Sequence, residues 1–336
     1  MRTEKDIILS FESLEIGYGS GRHRRVLLPP LSASAHRGEL VAVIGRNGIG
    51  KSTLLRTIIG IQPALGGSVK IDGDDLSSIP RIEIARKIGY ISTESIRVSN
   101  MTVYDLIALG RYPYKGWLGG TDANGREAVE NALARTGMAE LAYRYIAELS
   151  DGELQRAMIG RVLAQDTAIL VMDEPTAYLD VMSKHEMVNL MQGLTDEGKT
   201  IIFSTHDFSI ATGQAHRIWL TLDDKLAEGA PEDLIINRSF ESLFDSPSVG
   251  FDSDAGTFFF RNKAGKEISL KGEGMIRKWT EKALVRAGFV ISGRRMTPCI
   301  TAPDEPTGEW ILEKDSDTKR FRSVYDLLRS LCDERK

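Results

Sequence analysis

The sequence contains no stretch of about 18 consecutive apolar residues, the minimum for a helix that crosses a bilayer. Its first residues, Met1-Arg2-Thr3-Glu4-Lys5-Asp6, hold no apolar core of a signal peptide. The expectation is therefore a chain that neither spans a membrane nor is exported by a signal peptide. Cysteine is almost absent: Cys299 and Cys332 are the only two, far from metal-ligand spacing, and read as reduced packing residues of a cytosolic protein. A strong excess of either charge is also missing. With a net charge of −4 over 336 residues and its basic side chains dispersed, the chain is not expected to bind nucleic acid. The one local basic cluster, Arg22-His23-Arg24-Arg25, reads as a solvated loop, with contact to a nucleotide or to lipid head groups as the alternative.

What is present centres on Gly45-Arg46-Asn47-Gly48-Ile49-Gly50-Lys51-Ser52-Thr53. An apolar strand over 39–44 precedes it and a helix is expected over 52–61. That context turns G-x-x-x-x-G-K-S into a phosphate-binding loop. Gly45, Gly48 and Gly50 carry no Cβ, so consecutive N–H groups can close on phosphate oxygens at a helix N-terminus. Lys51 is placed to reach the β and γ phosphates, and the Ser52 hydroxyl to ligate Mg²⁺.

Further motifs follow at strand ends. The apolar run 168–172 stops at Asp173 and Glu174. Adjacent side chains diverge at a strand end, so Asp173 can hold Mg²⁺ through its water shell while Glu174 polarises the water attacking a γ-phosphate. His206 follows the strand 200–204 and can donate to the γ-phosphate and orient that water. Ser150-Asp151-Gly152-Glu153 opens a helix, with Ser150 as N-cap, Glu153 at the capping-box position and Gly152 leaving room for an anion.

Taken in this order, the motifs resemble those of the ATP-binding cassette (ABC) ATPases over about residues 5–240. The resemblance implies an α/β P-loop core with an antiparallel β wing and a helical insertion at about 100–165. It implies further that Tyr18 stacks on adenine, Ser150, Gly152 and Glu153 form the signature motif, and Asp180 the D-loop. ATP and Mg²⁺ are the implied cofactors. ATP would be shared head to tail with a second nucleotide-binding subunit, implying a homodimer. Two departures stand out. The signature reads Ser-Asp-Gly-Glu instead of Ser-Gly-Gly-Gln, and Thr93 occupies the place of a metal-reaching glutamine, so Glu94 substitutes or water bridges the gap.

The segment 101–114 is similar to the importer branch for iron-siderophores, haem and cobalamin. An integral-membrane permease would then dock there, a substrate-binding protein would act through it, and the chain would sit on the cytoplasmic face of the membrane. The aromatic stretch 111–118 reads either as core packing or as the docking groove. An exporter ATPase and a soluble ABC protein of DNA repair or translation are the competing readings. Past a linker at 241–256, a small α+β domain is expected over 257–336, with a hairpin of 257–261 and 267–270, helices over 274–287 and 321–332, and strands over 289–292 and 310–313.

Overall fold

The structure, a computed structural model, describes residues 6–19, 23–92, 98–114, 123–243, 249–253, 256–260, 265–294, 296–314 and 317–333. They form two units, one holding most of the chain to residue 245 and one built from 258 onward.

In the first unit, β1 (Ile7–Glu15) leads to a short ribbon of β2 (Gly17–Tyr18) and β3 (Arg25–Val26). Then come β4 (Leu31–His36), β5 (Leu40–Gly45), α1 (Lys51–Ile58), β6 (Gly66–Ile71), β7 (Asp74–Asp75), α2 (Arg81–Lys87) and β8 (Ile88–Ile91). A helical region follows: α3 (Val103–Ala108), α4 (Ala123–Arg135) and α5 (Asp151–Ala164). The α/β alternation resumes with β9 (Ile169–Met172), α6 (Val181–Asp196), β10 (Thr200–Ser204), α7 (Phe208–Gln214), β11 (Arg217–Thr221), β12 (Leu226–Gly229) and α8 (Pro231–Ile236).

Two sheets result. The wing runs β4-β1-β6-β7, all antiparallel, and the core runs β12-β11-β5-β10-β9-β8, parallel except for the β12 edge. Every residue of β5, β9 and β10 is buried. Continuous apolar runs belong at the centre of such a sheet, because helices cover both faces. Phe11 of β1 and Trp219 of β11 clamp wing to core, meeting edge to face with centroids 5.2 Å apart. Truncating either to Ala would cost about 3–5 kcal/mol.

Several local expectations are corrected. The helix expected over 52–61 ends at Ile58, because Gly60 turns left-handed at φ 76° and Ile61 N–H closes back on the Arg56 carbonyl. No α-helix forms over 140–147, which holds two 3₁₀ turns. Its backbone groups are engaged elsewhere: Val103 N–H donates to Arg144 O, Tyr104 N–H to Ala142 O, and Ile146 N–H to Met101 O.

Inside the stretch expected as a linker, β13 (Val249–Asp252) pairs with β14 (Thr257–Phe260). A five-stranded sheet follows from β15 (Lys266–Lys271), α9 (Gly274–Arg286), β16 (Phe289–Ser292), β17 (Cys299–Thr301), β18 (Trp310–Lys314), β19 (Asp317–Phe321) and α10 (Val324–Asp333). The expected hairpin of β14 with β15 does not form. Both edges of β15 are taken in parallel, by β16 after the α9 crossover and by β17. Leu284 of α9 and Leu327 and Leu331 of α10 cover one face through Ile268, Ile300 and Leu312.

Candidate functional site

In an open parallel sheet ligands bind beyond the carboxyl ends of the strands. Strands β5, β9 and β10 end side by side there, at Gly45, Met172 and Ser204. The turn after β5 passes through Gly48 at φ 77° and Gly50 at φ 116°, conformations open to glycine, and Gly50 caps α1. A pocket of about 470 Å³ opens over this turn, lined by Tyr18, Arg25, Leu27, Asn47, Gly48, Gly50, Lys51, Ser52, Thr53, Glu174 and His206.

Lys51 is buried at the pocket floor, its ammonium donating to the carbonyls of Gly45 (3.0 Å) and Arg46 (3.2 Å). Burial pulls its pKa below the usual lysine value, and the nearby carboxylates of Glu174 and Asp173 oppose that shift. The Tyr18 hydroxyl lies 2.9 Å from the Thr53 hydroxyl, with its ring exposed at the mouth. The loop is close-packed at Gly45, where a Cβ would lie 3.0 Å from Ile49 Cγ2, and Arg46 reaches Asp223 (3.2 Å).

Asp173 is buried, and the Ser204 hydroxyl donates to its Oδ1 at 2.6 Å. The same hydroxyl accepts from the Glu174 N–H at 2.9 Å. One serine thus fixes both acids, and Glu174, in a left-handed conformation at φ 53°, swings its carboxylate to His206 Nε2. Among the described residues Asp173 Oδ2 is buried with no hydrogen-bond donor. A buried carboxylate oxygen left in this way suits a cation, so the chemistry of Asp173 fits Mg²⁺, and the Ser52 hydroxyl, a hard oxygen donor, belongs to a wall of the Lys51 pocket.

The remaining sequence candidates lie elsewhere. Ser150 caps α5, donating to Glu153 Oε2 (2.9 Å) and accepting from the Glu153 N–H (3.3 Å). The Ser150 N–H (2.8 Å) and, after it, the Ser150 hydroxyl donate to the Glu153 carboxylate and hold it below its ordinary pKa. Asp180 caps α6 through the Ser183 N–H (2.8 Å), and Gly152 packs beside Ser183, so the α5 and α6 N-termini are neighbours. Neither terminus is among the walls of the Lys51 pocket. Thr93 and Glu94 lie outside the described residues. Sequence reading passed over Ser204 and Leu27, and gave the cluster that holds Arg25 as a solvated loop with nucleotide or lipid contact as the alternative. Arg25 pairs with Tyr18 in the β2–β3 ribbon, and both line the pocket.

A second cleft of about 630 Å³ lies between α1, α2 and the helical region, lined by apolar groups including Ile61, Ile84, Leu109 and Tyr112. Pro113 is buried there while Tyr112 and Tyr114, the described aromatics of the stretch 111–118, are exposed, and Trp117 lies outside the described residues.

A wing, a parallel core and a phosphate loop facing two acids and a histidine define a P-loop ATPase of the cassette type. The chain belongs to the ABC transporter family, as an ATP-binding and ATP-hydrolysing subunit: its family model matches residues 28–177. A second model, the iron ABC transporter C-terminal domain, matches residues 265–332. The ferric enterobactin transport ATP-binding protein FepC of Escherichia coli is 35% identical over 244 residues, 72% of this chain and 89% of that protein. The petrobactin import ATP-binding protein FpuD of Bacillus anthracis is 35% identical over 238 residues, 70% of this chain and 86% of that protein. Among solved structures, cbiO1 from Clostridium perfringens, part of the ABC transporter complex cbiONQ, superposes with a TM-score of 0.61 at 28% identity, over 70% of this chain and 93% of that one. An ATP-binding cassette solved in its ADP conformation gives the same TM-score at 26% identity, over 69% and 94%.

Proposed function

We propose that the chain drives uptake of iron-siderophore complexes, as one of a head-to-tail pair of ATPase subunits on the cytoplasmic face of a membrane permease. The observation that carries the ATPase roles is the convergence of Lys51, Glu174 and His206 on one pocket under the glycine turn, with the buried Asp173 close enough to act on the Lys51 charge. The substrate class is supported by the iron-type C-terminal match and by the two siderophore-system relatives.

Bound Mg²⁺ supplies charge neutralisation on the β and γ phosphates. Asp173 and Ser52 hold it, directly or through water, and Lys51 supplies a further positive charge to the same oxygens. Tyr18 offers its ring to adenine, with Arg25 at the same mouth. Glu174 accepts a proton from the attacking water at its carboxylate, and His206 orients that water and donates to the γ-phosphate. Ser204 keeps Asp173 and Glu174 in these separate tasks. Ser150, Gly152 and Glu153 at the α5 N-terminus, with Asp180 beside them, meet the nucleotide of the second subunit. The apolar cleft at Tyr112 receives a permease helix, and a substrate-binding protein acts only through that permease. Because ATP binding and product release bias two permease conformations, the subunit itself need not touch the transported molecule.

The test compares wild type with Glu174→Gln purified from native membranes. Loss of a general base should lower ATPase turnover roughly 100- to 10,000-fold, with ATP still bound and a polytopic permease co-purifying. Recovery of wild type only from the soluble fraction would overturn the transport reading, and full ATPase activity in the variant would overturn the role of Glu174.

A further inference from the structure

The second unit carries a surface that the ATPase cycle does not use. Residues 258–336 hold 17 Lys and Arg against 12 Asp and Glu, a surplus of five in a chain whose total charge is −4. Such asymmetry between parts of one chain marks a partner of opposite charge for the basic part.

Part of that surplus is gathered on α9. The inner face of the helix is set by Thr280, Ala283 and Leu284, which are buried. At 100° per residue, Met275, Lys278, Trp279, Lys282 and Arg286 fall together in one arc of about 100° beside that inner face and away from it, and all five are exposed. Met275 is 68% and Trp279 63% exposed, unusual for side chains of that size and hydrophobicity. Lys282 stacks over the Trp279 ring at 4.7 Å. The acid of this helix, Glu281, lies off the stripe and pairs with Arg277 at 3.0 Å. Among the described residues no carboxylate pairs with Lys278, Lys282 or Arg286.

We propose that this face of α9 is a docking surface for an anionic lipid leaflet, with Trp279 and Met275 entering the head-group boundary and Lys278, Lys282 and Arg286 against lipid phosphates. A tryptophan and a methionine flanked by unpaired cations is the composition of an interfacial helix, in which apolar burial and attraction to acidic lipid add. A second copy of the same face is disfavoured as the occupant. Two-fold pairing would set three cations against their own equivalents. A bare polyanion is disfavoured too, since it leaves Met275 without an apolar neighbour. The inference goes beyond the transport reading and needs neither nucleotide nor permease, so either can fail without the other.

The experiment is sedimentation of the full chain with phosphatidylcholine vesicles, with and without phosphatidylserine. Each cation near an acidic surface strengthens binding roughly fivefold. The full chain should therefore partition onto the phosphatidylserine vesicles, less so in high salt, and should stay in solution with phosphatidylcholine alone. Lys278→Glu with Lys282→Glu should weaken partition by roughly 25-fold or more, Lys278→Arg with Lys282→Arg should retain it, and Trp279→Ala should reduce it at unchanged charge. Equal partition onto both vesicle types, no partition onto either, or indifference to the charge reversal would each overturn the proposal. The last outcome would send the contact elsewhere, for instance to the basic cluster at 22–25.

Discussion

Replacing Ser204 by Ala tests whether one buried hydroxyl organises the two acids. Ser204 is wholly buried at the end of β10, where it donates to Asp173 and accepts from the Glu174 N–H. Alanine removes both contacts and adds no atom that can replace them. Asp173 would then keep a buried carboxylate with neither oxygen paired to a donor among the described residues, since Oδ2 already has none. A hydrogen bond to a charged group is worth about 1.5–3 kcal/mol, and an orphaned N–H adds about 1 kcal/mol. A loss of about 3 kcal/mol corresponds, for a unit of this size, to a fall of about 6–12 °C in melting temperature. The assay is thermal unfolding of nucleotide-free protein by circular dichroism, beside ATPase turnover at saturating ATP. Turnover should fall roughly 100-fold, because a base displaced by about an ångström loses its near-attack geometry. A melting temperature within about 2 °C of wild type, the span of a surface substitution, would refute the assignment of Ser204 as the organiser.

Other outcomes follow from the same contacts. Lys51→Met should abolish stabilisation by ATP in a thermal-shift assay without destabilising the nucleotide-free protein, since it removes a buried ammonium. The sign of its pH dependence is fixed: the folded pKa of Lys51 lies below the ordinary 10.5, so between the two values the unfolded chain holds the extra proton. Wild type should accordingly gain stability relative to Lys51→Met as pH rises through that interval, and parallel denaturation curves would show otherwise. Gly45→Ala should fail to give a stable fold, as its Cβ would sit 1.9 Å from the Thr221 hydroxyl and 2.9 Å from the Thr221 carbonyl; soluble yield and melting temperature report it. Ser150→Ala should cost about 1 kcal/mol through the lost cap of α5, while ATPase activity falls far more than that; an activity loss no larger than the stability loss would confine Ser150 to capping.

The site was legible in sequence because its parts sit where physics leaves little choice. Strands β5 and β9 are continuous apolar runs, so Gly45 and Asp173 stand out at their ends, and His206 follows two residues past the end of β10. Ser204 was missed because it is the last residue of β10 and looks like ordinary strand. Its importance comes from the neighbouring strand β9, whose parallel register with β10, running to Phe203 beside Met172, brings Ser204 to Asp173 and Glu174.

Where the sequence misled, the backbone had a non-local partner. The segment 140–147 has residues that suit a helix, yet its carbonyls accept from the start of α3, and a short helix gains too little internally to outbid them. In the second unit, β15 was read as half of a hairpin because local pairing is the commonest arrangement. Its alternation fits equally well at the centre of a sheet, and Ile268 and Leu270 are buried there by α9 and α10, helices that arrive later in the chain. Strand β19 exposes Asp317, Thr318, Lys319 and Arg320, and so shows no apolar alternation to detect. Those charges suit an edge strand, where they discourage pairing with another chain. The feature that hid β19 from a pattern reading is therefore what keeps the sheet from extending.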